Sequence, residues 1–423
     1  MPTVIPFRAW RYAPDTDLSA VTAPPYDVLS ADDVAMFQAR HERNIVHVDV
    51  PPQTPEGYAD AAATLKDWMA AGTLVQDDAP TFTLYRMSFK DACDTFRNMI
   101  GVLVGLPVDD YGKSGVLPHE RITPKASTDR LDLTRATGAN LSPIWALSLV
   151  DGLSNVLEQY WDLAASAHIP TARCTDAGVT HETLPIANTQ QQAVITSLIA
   201  QSDVLIADGH HRYGVAQRYR EEVREDTDGP RPKDCDGPHS ENCDSAHPED
   251  CDGPHPEDFT LAFISELVAE QLNIDAIHRV YDGVDFDTLK AALATHFDLE
   301  PAPKPTPATL DEMVAEGRLV LLSPAGDANW LTPKPGIFDD VRPLDGLWLE
   351  QALADVEALT VTYQHGLEET LATVPEHSGA VLIRPTSIEE IRRTATEGLL
   401  MPPKSTFFTP KLRTGLVLRT LDE

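Results

Sequence analysis

The feature that most constrains the fold is a junction near residue 208, where an apolar run meets a glycine and a helix-forming segment. Asp203-Val204-Leu205-Ile206-Ala207 has the length and composition of a short buried strand. It continues directly into Asp208-Gly209-His210-His211-Arg212, and Tyr213–Arg224 has the pattern of a helix. A buried strand that passes through one glycine turn into a helix requires a sheet with helices packed against it. The junction therefore predicts an α/β protein.

The rest of the chain alternates strand-like and helix-like patterns. Strands are expected at Asn44–Val50, Thr81–Phe89, Asn98–Val108, Ile144–Val150, Leu319–Leu322, Ala380–Ile383 and Gly415–Arg419, the second and third as a pair. Helices are expected after a cap at Ser30 with Asp33 three residues on, over 57–71, from Thr128 to Thr137, and at Ser154–Ala165, Gln190–Gln201, 284–297, Leu344–Leu353 and Ser387–Glu397. We therefore expect an α/β or α+β fold with two lobes, in which mixed sheets carry flanking helices.

An acidic repeat interrupts this alternation over residues 226–258. It holds three near-copies of the unit Cys-Asp-Gly-Pro-His-Pro-Glu-Asp, which is too polar and too rich in proline to bury a core. A metal site on its cysteines and histidines is the alternative, but the spacing fits no recognised zinc pattern. We therefore expect a disordered insertion between an N-terminal α/β region (1–225) and its continuation (259–300). A Pro/Ala linker over 301–309 then precedes a C-terminal α/β region (310–423).

The formal net charge of −33, from 33 basic and 66 acidic side chains, limits the possible partners. A surface this acidic repels the phosphates of nucleic acids and of anionic lipids, so nucleic-acid binding is disfavoured. Acidic residues in excess, together with few lysines, are typical of proteins that stay soluble in concentrated salt. We interpret the acidity as a halophilic adaptation, with a basic protein partner as the alternative.

The sequence also predicts the compartment. No apolar run approaches the roughly 20 residues that a membrane helix needs, and the first residues do not resemble a signal peptide. The five cysteines are too few and too scattered for a disulfide framework. We therefore expect a cytoplasmic protein without membrane association. The oligomeric state stays open.

The loop at 208–212 is the strongest candidate for a functional site. A strand followed by a glycine turn and a helix start brings free backbone amides and the positive end of the helix dipole to one point. Gly209, His210, His211 and Arg212 would bind a phosphate or carboxylate there, and Arg212 can do so through two hydrogen bonds. Asp208 would hold a magnesium ion or orient a histidine, so that Asp208, His210 and His211 are the candidate catalytic residues. The alternative is a capped helix whose histidines only satisfy backbone groups.

Two further clusters could complete such a site. In the proline-rich loop at 118–125, Glu120 is a candidate general base, while His119 and Lys125 are candidate substrate ligands; a charged surface loop is the alternative. The C-terminal segment offers Lys404, Ser405 and Lys411 for substrate binding, against a role in strand packing alone. Arg130, just beyond the 118–125 loop, and Asn140 are further candidate substrate ligands, and Tyr26 in its proline turn is a weaker one.

These clusters together resemble a family of unknown function, DUF1015, over essentially the whole chain. Its marks in this sequence are Pro6-Phe7-Arg8, Ala23-Pro24-Pro25-Tyr26-Asp27-Val28, His119-Glu120 with Asp129-Arg130-Leu131, Thr137-Gly138-Ala139-Asn140-Leu141-Ser142-Pro143-Ile144, Asp208-Gly209-His210-His211-Arg212-Tyr213, and the segment from Met401 to Leu412. The acidic repeat departs from the family pattern. The family label itself implies no activity.

The segment Asp208–Arg212 also resembles the phosphate-binding loop of the ParB and sulfiredoxin superfamily, which includes free-serine kinases and nucleotide-hydrolysing partition proteins. That resemblance implies a nucleotide, ATP or ADP, with its phosphate on Gly209, His210, His211 and Arg212. It also implies Mg²⁺ near Asp208. DUF1015 members are often linked with serine biosynthesis, which points to serine or phosphoserine as the small metabolite.

The leading hypothesis is therefore an enzyme of phosphoryl transfer or phosphate-ester chemistry on a small metabolite. Lys125, Lys404 or Lys411 would neutralise developing charge, and Glu120 or Asp208 would activate the attacking group. The alternatives are a non-catalytic regulator that binds a nucleotide or phosphometabolite, a ParB-like nucleotide hydrolase disfavoured by the acidity, and a hydrolase of another ester class. All composite-site readings require residues 208–212 to lie close to 119–125 or to 404–411.

Overall fold

The computed structural model describes residues 1–91, 95–120, 127–169, 171–227 and 255–422. Lys125, most of the expected insertion and every cysteine except Cys174 lie outside these residues. The Cys174 thiol is buried and free. Within the described ranges, no helix is both long enough and apolar enough to cross a membrane.

The described strands are β1 (Trp10–Tyr12), β2 (Leu74–Gln76), β3 (Phe82–Lys90), β4 (Phe96–Pro107), β5 (Val116–Pro118), β6 (Ala139–Asn140), β7 (Ile144–Ser148), β8 (Ala172–Asp176), β9 (Val179–Ile186), β10 (Val204–Asp208), β11 (Phe259–Glu266), β12 (Asn273–Asp275), β13 (Ile277–Asp282), β14 (Phe297–Ala302), β15 (Leu319–Leu322), β16 (Ala328–Pro333), β17 (Thr360–His365), β18 (Gly379–Leu382), β19 (Phe407–Thr409) and β20 (Arg419–Thr420).

The described helices are α1 (Leu18–Val21), α2 (Ala31–Arg40), α3 (Val46–Asp49), α4 (Pro55–Ala70), α5 (Ser127–Thr137), α6 (Leu153–Ser166), α7 (Thr189–Ile199), α8 (His210–Thr227), α9 (Phe286–Leu293), α10 (Pro307–Glu316), α11 (Asp345–Ala352), α12 (Leu367–Thr373) and α13 (Ile388–Thr396). The cap predicted for α2 is confirmed, because Ser30 and Asp33 exchange side-chain-to-backbone hydrogen bonds in a capping box.

An eight-stranded mixed sheet contains the predicted buried strand β10. The strand order is β5-β10-β7-β11-β4-β3-β9-β8, and β10 runs parallel to β5 and antiparallel to β7. Val204 and Ile206 pack into the apolar layer on one face, and Leu205 and Ala207 pack into the layer on the other. Since successive side chains of a strand point to opposite faces, burial of both sets requires cover on both sides of the sheet. The predicted mixed α/β class with flanking helices is confirmed.

A second sheet of six strands is antiparallel throughout. Its order is β14-β16-β15-β18-β13-β17, with β14 and β17 at the edges. Apolar side chains cover both of its faces, one layer centred on Tyr281 and Leu321 and the other on Val280 and Trp330. Helix α11 contributes Leu349 to the first layer.

The prediction of a linker over 301–309 is wrong for most of that range. Pro301 and Ala302 pair with β16 at the end of β14, and helix α10 begins at Pro307. Proline fits both places, because an edge strand leaves room for a residue without an N–H, and the first turn of a helix does not need that N–H. The division of the chain into regions around this segment stays a prediction.

The strand expected at Asn44–Val50 is also wrong. The segment forms the short helix α3, which Asn44 starts by accepting a hydrogen bond from the Val46 N–H at 3.0 Å. Ile45, Val46 and Val48 are all buried in one apolar cluster. Because this short helix is apolar on more than one side, its residues imitate the alternation of a strand. Of the strand expected at Gly415–Arg419, only the last residue belongs to a strand, β20.

The C-terminal segment returns to the eight-stranded sheet. Strand β19 pairs with β12 and contacts β10, and β20 pairs with β6. The Met401 N–H donates to the His119 carbonyl oxygen at 2.8 Å, which joins this segment to the end of β5. Lys404 to Lys411 are therefore held over the carboxyl end of β10, where the chain turns into α8.

Candidate functional site

The turn between β10 and α8 requires the glycine at position 209. Gly209 has a φ of +89°, and a Cβ atom built there would lie 3.0 Å from the guanidinium carbon of Arg212. A residue with a side chain would be strained in this conformation and would press on Arg212. Helix α8 begins at His210 and runs for 18 residues, so its first free amides and the positive end of its dipole lie at this turn.

Asp208 joins the turn to the C-terminal segment. Its Oδ2 accepts a hydrogen bond from Arg212 Nη2 at 2.9 Å, and its Oδ1 accepts one from Lys411 Nζ at 3.1 Å. Burial alone would raise the pKa of Asp208, but the charges of Lys411 and Arg212 outweigh burial and hold that pKa at about 2. One carboxylate thus faces two cations, and the charges of Asp27 and Asp49 also act on Arg212.

A pair of buried histidines lies next to the turn. The rings of His119 and His210 have their centroids 4.8 Å apart. His119 Nδ1 bonds to the carbonyl oxygen of Ile206, and its Nε2 lies 2.7 Å from the Thr406 hydroxyl. Because Nδ1 must donate to a carbonyl, Nε2 of the neutral ring accepts from Thr406. Burial lowers the pKa of both rings, so both are neutral at pH 7.

His210 has one nitrogen without a partner in this part of the chain. Its Nε2 is buried, and no hydrogen-bond partner for it occurs among the described residues. A buried nitrogen of this kind loses its hydration without compensation, which costs about 1–3 kcal/mol. The unsatisfied nitrogen is a reason to look for a ligand at this position rather than for a purely structural role.

Glu120, which follows β5, and Lys404, in the C-terminal segment, both lie near the turn at Gly209. The Ser405 N–H donates to Glu120 Oε2 at 3.4 Å, and that oxygen lies 4.0 Å from His119 Nε2. Lys404 has a φ of +58°, and its carbonyl oxygen accepts a hydrogen bond from Arg279 Nη1 at 3.2 Å. The backbone around Lys404 is therefore fixed from both sides.

These groups surround one open cleft of about 340 Å³. Among the residues that line it are Tyr26, Asp27, Glu120, Asp208, Gly209, His210, His211, Tyr363, Lys404, Thr406, Phe407 and Lys411. The Lys411 ammonium also lies 4.2 Å from the centroid of the Phe407 ring. The cleft combines a helix start, two lysines, three carboxylates and aromatic walls, so it offers groups for an anion and for a cation beside it.

The structure brings the three predicted clusters together, so the geometric condition on the composite site is met. His119 and Arg212 do not line the cleft themselves: the His119 ring lies against that of His210, and Arg212 binds Asp208 and lines a separate cavity. Ser405 stands beside the cleft, but its hydroxyl donates to the Pro402 carbonyl oxygen at 2.7 Å. The roles given to these residues stay predictions. Lys125 lies outside the described residues.

Two predicted substrate ligands lie in a different place. Arg130 and Asn140 line a separate cavity of about 50 Å³, which shares Tyr26 with the cleft. Arg130 donates to the Asp49 carbonyl oxygen at 2.6 Å, and its guanidinium carbon lies 4.0 Å from the Tyr26 ring centroid. Asn140 Oδ1 accepts a hydrogen bond from the Leu261 N–H at 3.0 Å. Their roles in substrate binding stay predictions.

Sequence reasoning did not select as candidate ligands the polar residues Asp27, Thr406 and Tyr363, which line the cleft. Asp27 follows Tyr26 in the Pro-Pro-Tyr-Asp turn, and Thr406 follows Ser405, so both stand within motifs that were noticed. Tyr363 lies on the edge strand β17 and carries no local signal of function. The described residues contain no group of three or more His, Cys, Asp or Glu side chains that could hold a metal ion.

Fold and cleft define a mixed α/β protein with a cleft, lined by both acidic and basic side chains, where a strand turns into a helix. The chain belongs to the family described as "Protein of unknown function (DUF1015)", whose model matches residues 4–347. No curated protein matches the chain.

Several solved structures are similar to this chain. A conserved hypothetical protein from Pyrococcus furiosus is 10% identical, with 73% of this chain and 90% of that chain covered and a TM-score of 0.35. A free serine kinase in complex with AMP is 9% identical, with 73% and 87% covered and a TM-score of 0.35. SbnI with a C-terminal truncation, from Staphylococcus aureus, is 12% identical, with 73% and 84% covered and a TM-score of 0.36.

Proposed function

We propose that the cleft binds the phosphate of a nucleotide or of a phosphorylated metabolite, and that the protein is an enzyme of phosphoryl transfer or phosphate-ester chemistry. The observation that carries this proposal is the turn at Gly209, which directs the start of α8 into a cleft that Lys404 and Lys411 also line. Backbone amides, a helix dipole and two ammonium groups at one point favour a dianion over a neutral ligand.

The bound phosphate would lie between the first turn of α8 and the two lysines. Gly209, His210 and His211 would supply N–H groups, and Lys411 would turn from Asp208 toward the ligand or bridge the two. Arg212 would keep Asp208 ionised in either case. Since positioning and charge neutralisation provide most of the catalysis in phosphoryl transfer, these groups suit that chemistry.

A general base would be needed to activate the attacking hydroxyl or water. Asp208 is a poor candidate, because both of its oxygens are engaged by cations and its pKa is held at about 2. Two other carboxylates line the cleft, Glu120 and Asp27. We assign activation of the attacking hydroxyl or water to one of these two, with Glu120 the residue closer to the histidine pair.

Serine or phosphoserine is the proposed metabolite, with ATP or ADP as the phosphate partner. What supports this choice is the resemblance of the loop to that of the ParB and sulfiredoxin superfamily. Mg²⁺ would arrive with the nucleotide, since this ion is usually held by substrate phosphates and one or two carboxylates. Glu120 and Asp27 fit that role; Asp208 would first have to release Lys411 or Arg212.

The experiment is a thermal-shift screen in high salt, followed by turnover assays. ATP, ADP, CTP, serine and phosphoserine are tested with magnesium against wild type, His211→Ala and Lys411→Ala. Lys304→Ala is the matched control, because Lys304 is exposed and does not line the cleft. A ligand that stabilises the wild type and the control, but neither cleft variant, supports the phosphate site.

Turnover separates two functions of the same cleft. Transfer or release of phosphate, followed by ³¹P NMR, supports the enzyme. Binding without turnover would instead assign a non-catalytic regulator that binds a nucleotide or phosphometabolite. No stabilisation by any of these compounds would refute the phosphate site itself.

A further inference from the structure

The hydroxyl of Thr406 and the ring of His119 form a hydrogen-bonded pair at the cleft. Thr406 lines the cleft, and its Oγ1 lies 2.7 Å from His119 Nε2. His119 Nδ1 donates to the carbonyl oxygen of Ile206 in β10, so Nδ1 carries the proton of the neutral ring. Nε2 therefore accepts the hydrogen bond, and the hydroxyl proton of Thr406 is directed at an unprotonated nitrogen.

This pair has the arrangement by which proteins activate a hydroxyl as a nucleophile. Such a site needs a hydroxyl, a base within hydrogen-bond distance and a third group that orients the base. Here the third group is the Ile206 carbonyl oxygen, which holds His119 through the other ring nitrogen. The His119 ring is buried, so solvent does not compete with Thr406 for Nε2. The neighbouring Ser405 lacks this arrangement, because its hydroxyl donates to the Pro402 carbonyl oxygen.

The pair also stands next to the place proposed for the phosphate. The centroid of the His119 ring lies 4.8 Å from that of His210, which is the first residue of α8. Lys404 and Lys411 line the same cleft as Thr406. One cleft thus joins a hydroxyl, its base, a helix start and two ammonium groups, and the last two favour a phosphate.

We infer that Thr406 is a nucleophile that accepts a phosphoryl group in the cleft, an inference that rests on the phosphate chemistry proposed above. Thr406 Oγ1 forms a bond to the terminal phosphorus of ATP or ADP, and the bond from that phosphorus to its bridging oxygen breaks. The shortened nucleotide leaves with the electron pair of the broken bond, and the hydroxyl proton passes to His119 Nε2. The product is a phosphothreonine, whose charge the helix start and the two lysines offset.

The phosphoryl group then passes to the hydroxyl of a metabolite or to water. The oxygen of this acceptor attacks the phosphorus, the bond to Thr406 Oγ1 breaks, and the proton on His119 returns to the threonine oxygen. The proton of the acceptor goes to Glu120 or Asp27, the two carboxylates assigned above to its activation. Release of that proton to solvent restores the cleft.

Acid-stable labelling of the full chain tests the inference. The chain is incubated with magnesium and with ATP labelled in its terminal phosphate, without serine, and is quenched in acid; mass spectrometry of its peptides locates the label. Wild type and Thr406→Ser are expected to carry a phosphoryl group on this side chain, and Thr406→Val is expected to carry none. Thr362→Val is the matched control, because Thr362 is exposed and does not line the cleft, and it should label as the wild type does.

Two further readouts make the assignment specific. A phosphate ester on threonine survives acid, whereas phosphate on histidine or aspartate does not, so the acid quench separates Thr406 from the other groups of the cleft. His119→Gln is expected to slow labelling about a hundredfold, as loss of a general base does, with the thermal shift by ATP unchanged. Exchange of label between ADP and ATP without a metabolite detects an intermediate that does not accumulate, and Thr406→Val is expected to abolish it.

The outcomes separate this inference from the proposed function. If a compound of the thermal-shift screen stabilises the wild type but neither label nor exchange occurs, the inference is overturned and the phosphate site stands. Acid-stable label or exchange that persists in Thr406→Val also overturns it. If no compound of the screen stabilises the wild type, the phosphate site fails and the inference fails with it. Circular dichroism verifies that the variants fold, and Thr406→Ala replaces Thr406→Val should the latter not fold.

Discussion

Replacement of Lys411 by methionine is expected to destabilise the protein at neutral pH and to lose that effect in acid. The Lys411 ammonium lies 3.1 Å from Asp208 Oδ1, and both side chains are mostly buried. Burial acts to raise the pKa of Asp208, yet Lys411 and Arg212 hold it at about 2 instead of its ordinary 3.8. The difference between these two values corresponds to about 2 kcal/mol of stability at neutral pH.

The sign of the effect follows from the direction of this pKa. Because the folded pKa lies below the unfolded one, ionised Asp208 stabilises the fold above pH 4, and the contribution is lost as the pH falls from 4 to 2. Lys411 is the stronger of the two cations that lower this pKa. Its removal is therefore expected to cost about 1–2 kcal/mol at pH 7 and progressively less below pH 4.

Urea unfolding in high salt measures this effect for wild type, Lys411→Met, Asp208→Asn and the double variant. The double-mutant cycle isolates the pair, with an expected coupling of about 1–2 kcal/mol at pH 7. Lys304→Met serves as the control for loss of an exposed lysine. A coupling of zero, or a destabilisation by Lys411→Met that stays the same from pH 7 to pH 3, would show that the pair does not set the charge of the turn.

Three further substitutions test other parts of the site. Gly209→Ala is expected to lower the free energy of unfolding by about 1–2 kcal/mol and to abolish phosphate binding. Gly112 has a similar φ of +86° and nothing within 4 Å of an added Cβ, so Gly112→Ala should show the backbone strain alone. Urea unfolding compares the stability of the two variants, and calorimetry compares their phosphate binding. His210→Phe should reduce phosphate affinity about tenfold, the loss expected for about 1.4 kcal/mol of contact. Because burial lowers the pKa of His210, the wild type should lose stability as the pH falls below 6.5, and this variant should lose less over the same range in thermal melts. Asn140→Ala should destabilise the protein by about 1–3 kcal/mol, since it leaves the Leu261 N–H unpaired, and equal phosphate affinity in the folded variant would agree with a structural role.

The strand-to-helix turn could be predicted from sequence because all of its determinants are local. The apolar run of β10, the single glycine at 209 and the helix pattern after it stand next to one another in the chain. The same holds for the cap of α2 at Ser30. Local chemistry was sufficient in each case.

The failures occurred where tertiary packing decided between two patterns. The run from Ile45 to Val48 is apolar enough for a strand, and only its burial on several sides makes a helix the better solution. Prolines 301 and 307 suggested a linker, but each occupies a position where a missing N–H is harmless, an edge strand and a helix start.

The candidate site residues also differ in how far local sequence could predict their position. Glu120 and Lys411 stand in motifs that were noticed and line one cleft with Asp208, and His119 packs against His210 of the same cleft. Arg130 and Asn140 stand in equally conspicuous motifs, but they line a separate cavity and hydrogen-bond to the backbone of Asp49 and Leu261. Tyr363 gave no signal, because an exposed tyrosine on an edge strand is ordinary until the fold brings it to a cleft.

The cleft is closed by parts of the chain that lie far apart in sequence. Lys411 reaches Asp208 across 203 residues, and Thr406 reaches His119 across 287. Contacts between residues so far apart in sequence are expected to form late in folding. The entropy lost in closing the intervening loop must be overcome before such contacts stabilise the fold. The strands of the two large sheets all precede Lys404 and Lys411 in the chain, so these sheets can form before the two lysines reach the cleft. If the cleft binds an anion as proposed, ligand affinity would report that the segment from Lys404 to Lys411 has docked, and it would serve as an assay of complete folding.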